Sequence, residues 1–210
     1  MSKNFLLRFF SSLLLGPFVV FVVYLENYLF FYLLILIITS LAIYETLKLR
    51  VKIIKIFIFI LLMIFTLSAI KIYNINNGKY VIIFILLLTW LSDIGGYVFG
   101  KFIGGKKIKI ISPNKTYSGF FGSFLFVQIF GFYAKFLNLS FINEAVLNFY
   151  FLLICTLVII LGDMLFSYFK RRCDIKDFSN FLPGHGGFLD RIDGLILLTI
   201  FIYIANLWIL

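Results

Sequence analysis

The residues best suited to chemistry lie in the last quarter of the chain. The stretch Gly162-Asp163-Met164-Leu165-Phe166-Ser167-Tyr168-Phe169-Lys170-Arg171-Arg172 closes an apolar run. On a helix Asp163, Ser167 and Lys170, spaced by four and then three residues, share one face, so a carboxylate, a hydroxyl and a cation can enter one pocket. Lys176 and Asp177 follow, then Leu182-Pro183-Gly184-His185-Gly186-Gly187-Phe188-Leu189-Asp190-Arg191-Ile192-Asp193. Pro183 and the three glycines predict a tight loop whose backbone approaches a ligand closely. Asp190 and Asp193, three apart at the entrance to the last helix, suit one face. Hard oxygen ligands beside Lys and Arg point to Mg²⁺ and phosphates. One histidine and no cysteine cluster argue against zinc. Interfacial anchoring would explain any one of these charges. It does not explain Asp163, Asp190 and Asp193 together, beside His-Gly-Gly and four clustered cations.

A second polar cluster runs from Ser92-Asp93 through Gly95-Gly96-Tyr97 to Gly100-Lys101 and Gly104-Gly105-Lys106-Lys107. Gly96, Gly100 and Gly104 form a small-residue stripe that permits close helix packing and leaves a homodimer contact open. Asp93 falls about two turns inside an apolar span, where an unpaired carboxylate is costly, so a pocket role is expected. Ser112-Pro113-Asn114-Lys115-Thr116 then offers hydroxyls and a cation just before a helix, a phosphate-facing arrangement. Ser and Thr also cap helices for purely structural reasons.

The elements that must position these groups are transmembrane. Of 210 residues 63% are hydrophobic and 13% charged, where soluble domains carry about 25% charged residues. Apolar stretches predict seven spans, roughly 9–25, 28–47, 54–73, 80–100, 117–137, 146–169 and 193–210, with Pro17 able to kink or split the first. With the N-terminus inside, sixteen of the 19 Lys and Arg fall on the cytoplasmic side, leaving out Lys71, Lys79 and Lys135. The expected fold is an all-α polytopic bundle, N-in and C-out, with loops 101–116 and 170–192 cytoplasmic. It forms one domain over 1–210: spans over 1–90, then a chemistry-bearing half over 91–210. The net charge of +10 does not indicate nucleic acid, because the cations sit between apolar runs. Cys155 and Cys173 are expected as free thiols. The N-terminus lacks a small-residue cleavage site and is expected as the first span.

From Ser167 to Asp193 the chain reads S-Y-F-K-R, four residues, then K-D-F-S-N-F-L-P-G-H-G-G-F-L-D-R-I-D. These 27 residues resemble the signature of the phosphatidate cytidylyltransferases. Asp93, Tyr97, Gly100-Lys101 and Ser112-Pro113-x-Lys115-Thr116 resemble the family's upstream region. Ser118 departs from it, standing where an acidic residue is common, and the N-terminal third matches only in being hydrophobic.

The resemblance implies an enzyme of phospholipid biosynthesis in the bacterial inner membrane, its active site facing the cytoplasm. It would condense CTP with phosphatidic acid to give CDP-diacylglycerol and pyrophosphate. Mg²⁺ would be held by Asp163 and Asp190 with Asp193, a second cation being open. Lys170, Arg171, Lys176 and Arg191 would neutralise phosphate charge, with Ser167 beside them. Asp93, Lys101, Ser112, Lys115, Thr116, His185, Gly186 and Gly187 would contact substrate. The alternatives are a CTP-dependent polyprenol or lipid kinase and, from another class, a transporter using Asp93 and Asp163. A CDP-alcohol phosphotransferase is disfavoured, because Asp-Gly-x-x-Ala-Arg is absent.

Overall fold

A computed structural model of the chain describes residues 16–107, 115–136, 148–179 and 186–209, without the side chains of 135, 136 and 206–209. Helix α1 covers 16–24, followed by α2 (Tyr28–Leu47), α3 (Lys52–Tyr73), α4 (Gly78–Phe102), α5 (Tyr117–Phe136), α6 (Phe149–Arg172) and α7 (Leu189–Ile209). The regular elements among the described residues are helices, with isolated bridge positions at Lys107, paired with Thr116, and at Gly186. Among the described residues five helices, α2 to α6, are long and apolar enough to cross a membrane. Their outward faces carry exposed Leu36, Ile53, Ile56 and Leu67, which only lipid would solvate well. This is an integral membrane protein.

Threonine hydroxyls within the spans are satisfied locally, whereas the buried Ser68 hydroxyl on α3 has no hydrogen-bond partner among the described residues. The hydroxyls of Thr39, Thr66, Thr89, Thr156 and Thr199 each donate to the carbonyl four residues earlier, at 2.7–2.9 Å. Inside hydrocarbon no water would replace those bonds. Asn27 caps α2, accepting from Leu29 N at 3.0 Å, and Asn148 caps α6 through Tyr150 N at 3.4 Å. Cys155 and Cys173 are buried free thiols in separate core clusters.

Two helix pairs approach through glycine. A Cβ on Gly95 would lie 2.3 Å from the Gly122 carbonyl oxygen, so α4 and α5 touch backbone to backbone. Gly96 meets Ser123 and Gly100 meets Thr116 in the same contact. Two members of the expected glycine stripe are therefore used within the chain. Gly104 is not part of it: it lies beyond the end of α4 at φ +64°, with open space where a Cβ would go. The second close pair is α6 and α7. A Cβ on Gly162 would stand 2.9 Å from the Asp193 carbonyl oxygen and 3.0 Å from Gly194 Cα.

The helix bounds follow the apolar runs, with three differences. Helix α6 continues to Arg172, because Lys170, Arg171 and Arg172 favour the C-terminal end of its dipole. Helix α7 begins at Leu189, so Asp190 and Asp193 sit in its first turns. Of the span expected over 9–25, residues 16–24 are helical and the earlier part lies outside the described residues.

Candidate active site

The close contact of Gly162 and Gly194 sets the site, because the residues beside them are acidic. With the backbones of α6 and α7 touching, the Asp163 and Asp193 carboxyl groups come within hydrogen-bonding reach of each other. Asp93 on α4 lies near enough to feel the charges of Asp163, Lys115 and Arg191. Lys115 Nζ donates to Asp163 Oδ2 at 2.7 Å. Asp193 Oδ1 accepts from Gly194 N at 2.8 Å.

A cavity opens beside this group, lined by Leu86, Thr89, Trp90, Asp93, Arg191, Asp193, Gly194 and Leu195. The lining combines apolar Leu86, Trp90 and Leu195 with charged Asp93, Arg191 and Asp193. Carboxylates that face one another repel unless cations or protons intervene.

Asp190 faces elsewhere. Its Oδ1 accepts from Lys170 Nζ at 2.5 Å, and its Oδ2 from Phe178 N at 3.0 Å and Gly187 N at 3.1 Å. Lys170 also lies over the Phe178 ring. Both oxygens of Asp190 are thus engaged by protein donors. Among the described residues no three His, Cys, Asp or Glu side chains converge as a metal-holding group. The single grip expected from Asp163, Asp190 and Asp193 divides into two: a facing pair, and a carboxylate tied to the loop. A facing pair still suits Mg²⁺, which commonly takes one or two carboxylates and completes its shell with phosphate oxygens and water.

The other expected site residues distribute as follows. Ser167 is half-buried on α6 between Asp163 and Lys170, while Arg171 and Lys176 are exposed on the loop side. Arg191 is exposed at the cavity wall. Lys101 reaches Tyr97 on its own helix, its Nζ 3.3 Å from the hydroxyl. It lies eight residues, or about 12 Å along the axis, from Asp93. Thr116 is buried and caps α5, its Oγ1 accepting from Gly119 N at 3.1 Å and lying 2.9 Å from the Ser118 hydroxyl. Ser118, in the position where an acidic residue is common, donates to the Gly104 carbonyl and closes the loop before α5. Gly186 adopts φ +81° against Asp177, and Gly187 donates its N–H to Asp190. Ser112 and His185 lie outside the described residues.

One carboxylate at this end had no motif to announce it. Glu45, near the end of α2, accepts from Phe188 N and Leu189 N. Its only sequence signal is a lone acid inside an apolar helix.

Residues 49–208 match the model of the cytidylyltransferase family. The chain belongs to that family. Relatives of this cytidylyltransferase-family chain include phosphatidate cytidylyltransferases from three staphylococci. Identity over 123 residues is 40% for Staphylococcus epidermidis, 38% for Staphylococcus haemolyticus and 39% for Staphylococcus aureus. Each match covers 56% of this chain and 45% of the relative, so the chain spans under half the length of the curated relatives it matches.

Proposed function

We propose that this cytidylyltransferase-family chain transfers CMP from CTP to phosphatidic acid at the cytoplasmic face of a bacterial inner membrane. The observation that carries this is the facing of Asp163 and Asp193, with Asp93, Lys115 and Arg191 around them, beside a cavity in a membrane bundle. The named relatives support it. The lipid phosphate oxygen forms a bond to the α-phosphorus of CTP, and the bond from that phosphorus to the β-phosphate bridge breaks, releasing pyrophosphate. The attacking oxygen is already anionic, so no strong base is required. The chain must instead bring two anions together and align them.

Asp163 and Asp193 would hold Mg²⁺, whose charge offsets that of the phosphates. Lys115 and Arg191, the cations at the carboxylates, bind phosphate oxygens. Leu86, Trp90 and Leu195 beside Asp93, Arg191 and Asp193 would suit a lipid whose headgroup meets the charged residues. Seven spans with N-in, C-out orientation put the loops after α2, α4 and α6 on the nucleotide side, in agreement with the distribution of Lys and Arg.

The test uses the full chain in detergent or liposomes, with CTP labelled at the α- or the γ-phosphorus, and phosphatidic acid or a polyprenol as acceptor. CMP transfer puts only the α-label into lipid and stops when Mg²⁺ is chelated; Asp163→Asn loses it while still inserting in the membrane. The γ-label in lipid identifies a kinase. Consumption of neither label, with solute uptake, identifies a transporter.

A further inference from the structure

Glu45 is 1% exposed and stands outside the residues that match the family. Its Oε1 accepts from Phe188 N at 2.7 Å and from the Ser179 hydroxyl, and its Oε2 accepts from Leu189 N at 2.8 Å. Among the described residues no cation pairs with it. Its charge is carried by these three donors and by the positive end of the α7 dipole. Asp190 holds the preceding amide, Gly187 N, from the other side. Three consecutive N–H groups, 187 to 189, are thus gripped by two carboxylates from different helices. Gly187 lies between them with no room for a side chain: a Cβ there would be 2.8 Å from Asp190 Oδ2 and 3.0 Å from Glu45 Oε2.

We propose that Glu45 is a positioning residue: from α2 it fixes the entrance of α7, and so the placement of Arg191 and Asp193 against Asp163 and Asp93. This rests on the CMP-transfer function above. Leu189 is one helical turn from Asp193, so a loosened first turn moves that carboxylate directly. The carboxylate is required because both of its oxygens accept. In glutamine one of them becomes an NH₂ donor and confronts a backbone N–H that no longer has an acceptor.

The experiment compares wild-type, Glu45→Gln and Ser179→Ala full-length chains. It reads hydrogen–deuterium exchange at the 187–189 amides alongside steady-state CMP transfer. Glu45→Gln is expected to speed exchange of those amides by about 10-fold or more, the loss of one hydrogen bond to a charged acceptor. It should lower kcat by about 10- to 100-fold, with KM for CTP changed by less than about threefold, since Glu45 touches no substrate. Ser179→Ala removes one donor and leaves both backbone bonds, so its kcat falls by about threefold at most. Should Glu45→Gln fail to insert, Glu45→Asp takes its place: its carboxylate is one methylene too short to hold both amides, and unchanged exchange with unchanged kcat overturns the proposal. Faster exchange with wild-type kcat overturns it as well, because the bond would then be structural only. Absence of CMP transfer in the wild type overturns the function and the catalytic half of this proposal, while the exchange data still decide whether Glu45 holds the loop.

Discussion

Gly162 offers the sharpest test of the site's geometry. In Gly162→Ala the new Cβ would sit 2.9 Å from the Asp193 carbonyl oxygen and 3.0 Å from Gly194 Cα. Both are backbone atoms of α7, so no side chain can rotate aside. An ordinary carbon contact begins near 3.4 Å, so α6 and α7 must separate by roughly 0.5 Å at this level. The two aspartates flank the contact, and their spacing changes by a similar amount. Misplacement by 1 Å costs about 100-fold in a reaction that depends on alignment. Half of that displacement predicts about a 10-fold loss of kcat, or about 1.4 kcal/mol in the barrier. The overpacking itself costs about 1–3 kcal/mol of stability. The assay is α-labelled CMP transfer into phosphatidic acid, with thermal unfolding in detergent confirming that the variant folds. Gly194→Ala is the companion, because its Cβ would fall 3.2 Å from Asp163 Oδ1 and disturb that carboxylate directly. Two folded variants with kcat within twofold of wild type would refute the claim that this contact sets the reacting geometry.

Two further substitutions separate scaffolding from chemistry. Lys170→Ala strands Asp190, whose side chain is only 9% exposed. It should cost about 3 kcal/mol, read as a lowered unfolding temperature, and Lys170→Ala with Asp190→Asn should recover part of it; an unchanged unfolding temperature in the single variant would contradict the pairing. Thr116→Ala removes the α5 cap and should cost about 1 kcal/mol with KM for CTP unchanged, whereas a KM rise of more than about 10-fold would restore Thr116 to the substrate.

The spans were legible because lipid imposes long apolar runs, and α2 through α6 follow them closely. The start of α7 was not. Apolar pattern alone begins that helix at Asp193, but a carboxylate 144 residues away at Glu45 accepts its first amide and lets it begin at Leu189. No local rule carries such information. Spacing along α6 put Asp163, Ser167 and Lys170 on one face, yet it could not assign partners, and the pairs formed separate the first from the last. Lys115, from the loop before α5, took Asp163, and Lys170 took Asp190. The glycine stripe showed the opposite weakness: it announced close packing without naming the mate, which is α5 of the same chain.

The carboxylates at this end of the bundle divide by how completely their oxygens are used. Glu45 and Asp190 each receive three donors from the protein, and a buried acid so satisfied has little capacity left for a ligand. Asp163 and Asp193 face each other, with one lysine and one backbone N–H between them and Asp93 nearby. Like charges held together without full compensation are unfavourable in the resting protein. Both aspartates stand beside glycines, Gly162 and Gly194, that force the approach. Packing alone would be better served by apolar residues at these positions. An arrangement that keeps the repulsion and also supplies the glycines to enforce it is suited to receiving positive charge together with the phosphates of a substrate.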